Sequence, residues 1–299
     1  MIEVQNQHIL RTIREFGSLI KLSHTLFALP FALLGATLAA HGPDGWRGRG
    51  RDWLGILLAM VTARSAAMAF NRWADRRIDA LNPRTAARHL PAGRLSAGSV
   101  ALFTSVASAG FVASTLLFLP NPWPIRLSVP VLLWLLGYSF AKRWTNLAHA
   151  WLGLALALAP ACAWIALRAA IAWSPLLLGG AVLTWVTGFD IIYACQDEAF
   201  DRAHGLRSLP ARLGSRRALG LAAVAHAATV AFLVGLGLAY PMGTIYFVGV
   251  AVVALLLVYE HAIVRPDDLT RVNVAFFRVN VAISVGLLVV GLADLIVRR

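Results

Sequence analysis

The sequence predicts an all-α polytopic membrane protein, with nine transmembrane helices in a bundle. The chain of 299 residues is 59% hydrophobic and only 14% charged, whereas about a quarter of the residues in soluble domains are charged. Its mean hydropathy is +0.70. Apolar runs of about twenty residues, each long enough to cross a bilayer, recur from one end of the chain to the other.

Nine apolar segments are predicted to span the membrane, and Pro or Gly residues separate most of them, as in "HGPDG" and "LPNPWP". The segments cover about 19–40, 52–71, 97–119, 125–141, 148–167, 174–195, 217–239, 243–262 and 275–297. The polar start of the chain does not have the pattern of a signal peptide, so the first apolar run is predicted to be a retained span.

The net charge of +13 reflects membrane topology better than nucleic-acid binding, because the basic residues flank the apolar runs. Most of the 27 Lys and Arg residues fall on the N-terminal side of the predicted spans. The positive-inside rule therefore predicts an integral protein of the cytoplasmic (inner) membrane, with the N-terminus in the cytoplasm. The lipid bilayer is its predicted surroundings, and no nucleic-acid partner is expected. Cys162 and Cys195 fall within predicted spans, so no disulfide is expected.

Two acidic motifs with the same spacing follow the second and sixth predicted spans. They consist of Asn71, Asp75 and Asp79, and of Tyr193, Asp197 and Asp201. Downstream, "RHLPAGRL" in the first half is echoed by "RSLPARL" in the second. This pattern indicates an internal repeat, with halves of about 1–147 and 148–299 inside a single domain covering 1–299.

The acidic motifs predict a magnesium-diphosphate site at the cytoplasmic side. Residues four apart on a helix share a face, so the two acids of each motif would be neighbours that repel each other unless a cation lies between them. An acid near the membrane core costs roughly 2.5–3.5 kcal/mol, which indicates a ligand that needs it. Carboxylates without His or Cys partners favour Mg²⁺. The arginines between Arg72 and Arg94 suit phosphate oxygens.

These motifs resemble those of the UbiA superfamily of membrane prenyltransferases. Members have nine helices and typically carry N-x-x-x-D-x-x-x-D after the second helix and D-x-x-x-D after the sixth. Here the corresponding segments are "NRWADRRID" and "DIIYACQDEAFD". The segments "DRRIDALNPRTAARHLPAG" and "YSFAKRWT" are also similar to family segments. The resemblance covers nearly the whole chain.

The resemblance implies that a polyprenyl diphosphate loses diphosphate with the help of Mg²⁺, and that the allylic cation alkylates an aromatic ring or another nucleophile. It implies that Asp75, Asp79, Asp197 and Asp201 hold Mg²⁺. Asn71 would orient the first acids, and Arg72, Lys142 and Arg143 would contact the diphosphate. Tyr193 would bond a phosphate oxygen or face the cation, or is simply an interfacial tyrosine. Basic residues at such positions also serve as topology signals.

Two charged residues lie deeper in the predicted spans. Asp190 is expected to share a helix face with Tyr193 and the second acidic pair, where it would stabilise the cation or help to remove the ring proton; the alternative is a buried acid paired with an arginine. Arg64 lies inside a span and needs an anion, which would be the carboxylate of an aromatic acceptor or Asp190. Lys21 and His24 are weaker candidates.

The acceptor remains open between two aromatic carboxylates. The sequence resembles 4-hydroxybenzoate polyprenyltransferases of ubiquinone-type synthesis most, and the alternative is prenylation of a hydroxynaphthoate for menaquinone. "NR" and "RHLPAG" stand where "ND" and an "RPL…PSG" pattern are common. A transporter for a cation or a phosphate compound is an alternative of another class, because acids and a repeat also occur in transporters. Both acidic motifs lie near one edge of the membrane, which favours the enzyme.

Overall fold

Nine helices of 12 residues or more form the bundle in the part of the chain that the computed structural model describes, residues 14–20, 27–42, 45–46 and 48–298. They are α1 (Leu29–Ala40), α2 (Gly50–Leu81), α3 (Ala97–Ser114), α4 (Trp123–Gly137), α5 (Ala148–Arg168), α6 (Trp173–Ala194), α7 (Ser215–Ala239), α8 (Thr244–Ile263) and α9 (Asn280–Val297).

The predicted membrane architecture is confirmed. With the short helical turns that continue them, α2 to α9 are long and apolar enough to cross a bilayer. Residues 14–19 are helical, and within the first predicted span the next described helix begins at Leu29. Lys21 and His24 lie outside the described residues. Between α1 and α2, the two-residue strands β1 (His41–Gly42) and β2 (Gly45–Trp46) pair antiparallel. The described cysteines, Cys162 and Cys195, are free, as predicted.

Helix α2 continues ten residues beyond the predicted end of its span at residue 71. The hydropathy pattern ends there, but "RWADRRIDAL" contains good helix formers and no Gly or Pro. The helix stops at Asn82, which has extended φ and ψ of −89° and 118° because Pro83 follows it. Asp75 and Asp79 therefore follow the predicted span but lie on the last turns of the same helix, which agrees with the predicted helical spacing of the two acids.

Helix α6 is the central element of the bundle and packs between α5 and α7. Leu178, Val182 and Trp185 are among its fully buried side chains. Two glycines allow close approach: a Cβ on Gly153 of α5 would meet the Leu183 carbonyl at 2.4 Å. A Cβ on Gly188 would meet the His226 ring of α7 at 2.3 Å. Small residues at such crossings let helix backbones pack tightly in membranes.

The spacing predicted that the second acidic motif lies on one continuous α-helix, but the structure interrupts this helix. Helix α6 ends at Ala194, and a 3₁₀ turn (Cys195–Asp197) leads into the short helix Glu198–Ala203. The tighter turn changes the angle between successive side chains. Asp190, Tyr193, Asp197 and Asp201 nevertheless all line the same cavity. The predicted shared side of these four residues is therefore kept, although a 3₁₀ turn interrupts the α-helix.

Candidate active site

One cavity of about 430 Å³ brings all the predicted site residues together. Its lining includes Arg64, Asn71, Arg72, Asp75, Asp79, Lys142, Arg143, Asp190, Tyr193, Asp197 and Asp201. The polar residues gather where α2 ends and where α6 passes into its 3₁₀ turn. The rest of the lining is mainly apolar. The cavity is therefore amphipathic, with charged groups at one end.

Asp75 lies in a hydrogen-bonded group at the end of α2. Its Oδ2 accepts a bond of 3.0 Å from the Asn71 amide, one helical turn earlier. Its Oδ1 accepts a bond of 2.8 Å from Arg143, which also donates to the Ala74 carbonyl. Arg72 is buried and donates to the Asn71 side-chain oxygen at 3.3 Å. Asn71 thus lies between a base and an acid, both of which face the cavity.

Asp79 is buried and has a basic partner from the loop after α2. One Arg88 nitrogen donates to both of its carboxylate oxygens, at 2.7 and 2.9 Å. The Thr85 hydroxyl donates to the Asp79 backbone carbonyl at 3.0 Å. These contacts fold the loop back over the helix end, so its arginines reach the cavity.

Asp197 connects the two halves of the chain. Its Oδ1 accepts bonds from Asn82 at 3.1 Å and from Arg84 Nε at 2.9 Å, and a second Arg84 nitrogen binds Oδ2. Arg84 also donates to the Tyr193 hydroxyl at 3.0 Å. Partial burial disfavours the charge on Arg84, but its hydrogen bonds to Asp197 raise the pKa of the guanidinium. Arg84 is thus held between two predicted site residues of the second half.

Asp201 is buried and pairs with Lys142, whose Nζ lies 3.0 Å from Oδ2. Each of the four acids therefore has its own basic partner: Arg143, Arg88, Arg84 or Lys142. The sequence predicts that the neighbouring acids repel each other unless a cation lies close to them, and the structure places the cationic group of an arginine or a lysine beside each acid. Basic side chains at that end of the cavity compensate the acids directly.

The donor set fits Mg²⁺ only when a substrate shares the coordination. Within the described ranges, no three His, Cys, Asp or Glu side chains are grouped closely enough to hold a metal by themselves. Mg²⁺ usually takes one or two protein carboxylates, with water and substrate phosphates completing the octahedron. Carboxylates from both halves of the chain line the cavity and supply only oxygen ligands. The chemistry of these residues therefore suits a magnesium-diphosphate ligand.

Asp190 pairs with a histidine, and among the described arginines neither Arg64 nor any other binds it. Its Oδ2 lies 2.6 Å from His149 Nδ1, and the His149 ring is fully buried on α5. The Leu209 backbone N–H donates to His149 Nε2 at 3.3 Å. Because Nε2 accepts that bond, Nδ1 carries the ring proton and donates a hydrogen bond to Asp190. The histidine orients the carboxylate, which lines the cavity.

Arg64 lines the cavity without an anionic partner in the described part of the chain. Its Nε is buried and has no hydrogen-bond acceptor there. It lies seven residues before Asn71 on α2, and so about two turns deeper in the membrane. A buried guanidinium is costly unless an anion or another acceptor meets it. The cavity therefore has a place for an anionic group well separated from the acidic motifs.

The apolar part of the cavity extends toward the opposite end of the bundle. Its lining includes Ala32 of α1, Ile56 and Met60 of α2, Phe118 after α3, and Ile165 near the end of α5. About 15 residues separate Ile56 from Asn71, which corresponds to about 22 Å of helix. The cavity can therefore hold a long apolar chain whose polar head lies among the charged residues.

Sequence reasoning missed several residues that complete the polar end. Asn82, Arg84 and Arg88 lie in the segment "LNPRTAARHLPAG", which attracted attention as a whole but without individual assignments. His149 had no signal, because a lone histidine at the start of a span is unremarkable in sequence. Its partner is 41 positions away in the chain. Only tertiary packing brings such pairs together.

Comparisons with known proteins agree on one family. Residues 28–282 match the UbiA prenyltransferase family. A protein of Vibrio parahaemolyticus named 4-hydroxybenzoate octaprenyltransferase is 32% identical over 289 residues, covering 94% of this chain and 95% of the relative. The apo structure of a UbiA homologue from Aeropyrum pernix is 34% identical, with a TM-score of 0.77 over 92% of this chain and 98% of that one.

A second structural neighbour shares the fold at lower identity. A UbiA homologue from Archaeoglobus fulgidus, solved with DMAPP and Mg²⁺, has a TM-score of 0.65 and is 18% identical. The match covers 95% of this chain and 99% of that one.

Proposed function

The chain belongs to the UbiA prenyltransferase family, and we propose that it transfers a polyprenyl group from a polyprenyl diphosphate to 4-hydroxybenzoate in ubiquinone-type quinone synthesis. The observation that carries the proposal is the amphipathic cavity, which has acids and bases at one end and an apolar remainder. Deeper inside lies Arg64, whose Nε has no acceptor among the described residues. Relatives named 4-hydroxybenzoate octaprenyltransferase match nearly the whole chain and support the choice of acceptor.

The charged end of the cavity binds the diphosphate. Asp75, Asp79, Asp197 and Asp201 would hold Mg²⁺, which as a Lewis acid would assist departure of the diphosphate. Arg84, Arg88, Lys142 and Arg143 now pair with these acids. These basic groups would bind the phosphate oxygens of the substrate, and the four carboxylates would then be available to hold Mg²⁺. Because bases and acids change partners together, binding needs no isolated charge in the membrane.

The acceptor ring lies between Asp190 and Arg64. Arg64 binds the carboxylate of 4-hydroxybenzoate, since its buried Nε has no acceptor among the described residues. Asp190, oriented by His149, stabilises the allylic cation or removes the ring proton after the carbon–carbon bond forms. Tyr193 and Arg72 complete the wall beside the diphosphate. The charged end faces the cytoplasm, in keeping with the excess of basic residues on that side.

Transfer is tested directly with the purified protein in lipid nanodiscs. We expect radiolabelled 4-hydroxybenzoate to enter an organic extract in the presence of a long-chain prenyl diphosphate and Mg²⁺. EDTA should abolish the transfer, and excess Mg²⁺ should restore it, because carboxylates bind the diphosphate only through a cation. Transfer to a hydroxynaphthoate but not to 4-hydroxybenzoate would identify the hydroxynaphthoate as the acceptor. No transfer to any aromatic acid would overturn the proposal.

Replacing Arg64 by Gln should weaken binding of the aromatic acid selectively. Loss of a charge-assisted hydrogen bond of about 1.5–3 kcal/mol raises the KM for 4-hydroxybenzoate about ten- to hundredfold. The KM for the prenyl diphosphate should stay unchanged, because the acidic motifs lie about two turns away. Phenol lacks the carboxylate, so the wild-type protein and the Arg64→Gln variant should prenylate it equally poorly.

Arg77→Gln is the matched control for this variant, because Arg77 lies exposed on the same helix. If Arg64→Gln and Arg77→Gln gave the same KM for 4-hydroxybenzoate, Arg64 would not be the carboxylate-binding residue.

A further inference from the structure

A buried polar cluster lies outside the cavity, where α6, α8 and α9 meet. Its centre is Asn280, the first residue of α9, whose side chain is fully buried. The Trp185 indole donates to Asn280 Oδ1 at 2.7 Å. Asn280 Nδ2 donates to Glu260 Oε1 at 3.1 Å. The proposed reaction so far uses none of these three side chains.

The orientation of the Asn280 amide follows from its partners. An indole N–H can only donate, so it must meet the amide oxygen, and the NH₂ group must point to acceptors. Glu260 is fully buried, and its Oε2 has no partner among the described residues. A buried carboxyl group with an unsatisfied oxygen is costly inside a membrane helix. Packing alone would be served better by an apolar residue, so Glu260 indicates a specific requirement at Asn280.

Asn280 also holds the wide turn that precedes α9. Residues Ala275–Val279 form a π-helical turn, a feature that is rare and often occurs at functional sites. Asn280 Nδ2 lies 3.2 Å from both the Ala275 and the Phe276 carbonyl oxygens. The amide thus supplies a donor to the backbone of the π-turn. The position of Phe276 therefore depends on Asn280.

Phe276 connects this turn to the charged end of the cavity. Its ring lines the cavity and lies 4.3 Å, centroid to centroid, from the ring of Tyr193. On Tyr193, the Arg84 guanidinium carbon lies 5.3 Å from the ring centroid, and Arg84 binds the hydroxyl. Arg84 in turn binds both carboxylate oxygens of Asp197. An unbroken series of contacts therefore runs from Glu260 to a predicted magnesium ligand.

We propose that Asn280, held by Glu260 and Trp185, is a positioning residue for the diphosphate end of the active site. It fixes the π-turn so that Phe276 supports Tyr193 against Arg84. This inference rests on the proposed function, since it assigns Tyr193, Arg84 and Asp197 to the prenyl diphosphate. Asn280 itself touches no reactant.

The test is Asn280→Asp, which keeps the shape but replaces the donor by an acceptor. An oxygen would then face Glu260 and two carbonyls. We expect the dissociation constant for geranyl diphosphate with Mg²⁺, measured by calorimetry in nanodiscs, to rise about tenfold. The KM for the prenyl diphosphate should rise similarly, while the KM for 4-hydroxybenzoate should not change. Glu260→Gln in the Asn280→Asp background should recover part of the loss, because glutamine restores a donor.

Asn121→Asp is the matched control. Asn121 Nδ2 donates to the Ile165 and Ala166 carbonyls at 2.8 and 3.0 Å, at the far end of α5. The control loses the same kind of contact and should lower thermal stability without changing the affinity for geranyl diphosphate. Equal affinities in both variants would mean that Asn280 is only structural, and would overturn the inference.

A second pair of variants keeps the inference testable if Asn280→Asp does not fold. Phe276→Leu should weaken geranyl diphosphate binding, because the Phe276 ring lines the cavity and packs on Tyr193. Phe277→Leu should not weaken it, because Phe277 is not among the described residues that line the cavity. Unchanged geranyl diphosphate binding in Phe276→Leu would overturn the inference. In that case, transfer to 4-hydroxybenzoate by the wild-type protein would still uphold the proposed function. Conversely, a wild-type protein that binds geranyl diphosphate but prenylates no aromatic acid would refute the function and leave the inference standing.

Discussion

Replacing Asp197 by Asn should lower the turnover of prenyl transfer by about 10²- to 10³-fold, since loss of the anionic metal ligand proposed here would remove several kcal/mol of transition-state stabilisation. Asparagine keeps the shape of the side chain and one oxygen for Asn82. It cannot balance the charge of Arg84, which now binds both carboxylate oxygens. The Mg²⁺ concentration that gives half-maximal turnover should also rise. Initial rates over a Mg²⁺ titration measure both effects.

Asp267→Asn is the matched control, because Asp267 is exposed in the loop after α8 and far along the chain from both acidic motifs. It removes the same charge and should leave the Mg²⁺ titration unchanged. If the Asp197→Asn enzyme had the same turnover and the same Mg²⁺ dependence as this control, Asp197 would have no part in holding the metal. The assignment of the second motif would then be wrong.

Replacing Asp190 by Asn should lower kcat by about 10²- to 10⁴-fold, the range associated with loss of a positioned acid or base. The KM values for both substrates should change little, because the role proposed for Asp190 concerns the cation or the ring proton and not substrate binding. The His149 N–H would still find an acceptor oxygen, so the local fold should persist. Single-turnover kinetics with bound prenyl diphosphate would locate the loss in the chemical step.

Asp294→Asn is the control for removal of a buried acid. Asp294 is buried in α9 and accepts hydrogen bonds from the backbone N–H groups of Gly243 and Tyr246 at the start of α8. This variant should lower thermal stability but keep the turnover of each folded molecule. An Asp190→Asn enzyme with wild-type kcat would exclude Asp190 from the chemistry, whatever its effect on stability.

The arrangement of charges also bears on the predicted internal repeat. The four basic partners, Arg84, Arg88, Lys142 and Arg143, all lie in the predicted first half, 1–147. Two of them, Arg84 and Lys142, cross to acids of the second half. The acidic motifs follow a twofold pattern in sequence, whereas their basic partners do not. The acidic motifs are thus repeated in both halves, whereas all four of their basic partners come from the first half.

Much of the fold and of the candidate site was predictable, because in a membrane protein the spans and the charged residues near them are visible in short stretches of sequence. A span must be a continuous apolar helix, since a bilayer offers no partner for free backbone groups. Charged residues inside or beside such spans are costly, so Arg64, Asp75 and Asp190 stood out individually. The predicted site residues do line one cavity. Helix ends were harder, because α2 remains helical after its hydropathy pattern stops.

The sequence by itself determined the membrane bundle, the positions of its spans and the residue types of a diphosphate site, because each depends on short-range pattern and on the cost of charge in lipid. Only the tertiary structure decided which charges meet. Asp190 pairs with His149 and not with Arg64, Arg84 reaches Asp197 across 113 positions of the chain, and Asn280 holds the turn beneath Phe276. Such pairings follow from helix packing and from breaks in helical geometry, which residue spacing does not encode.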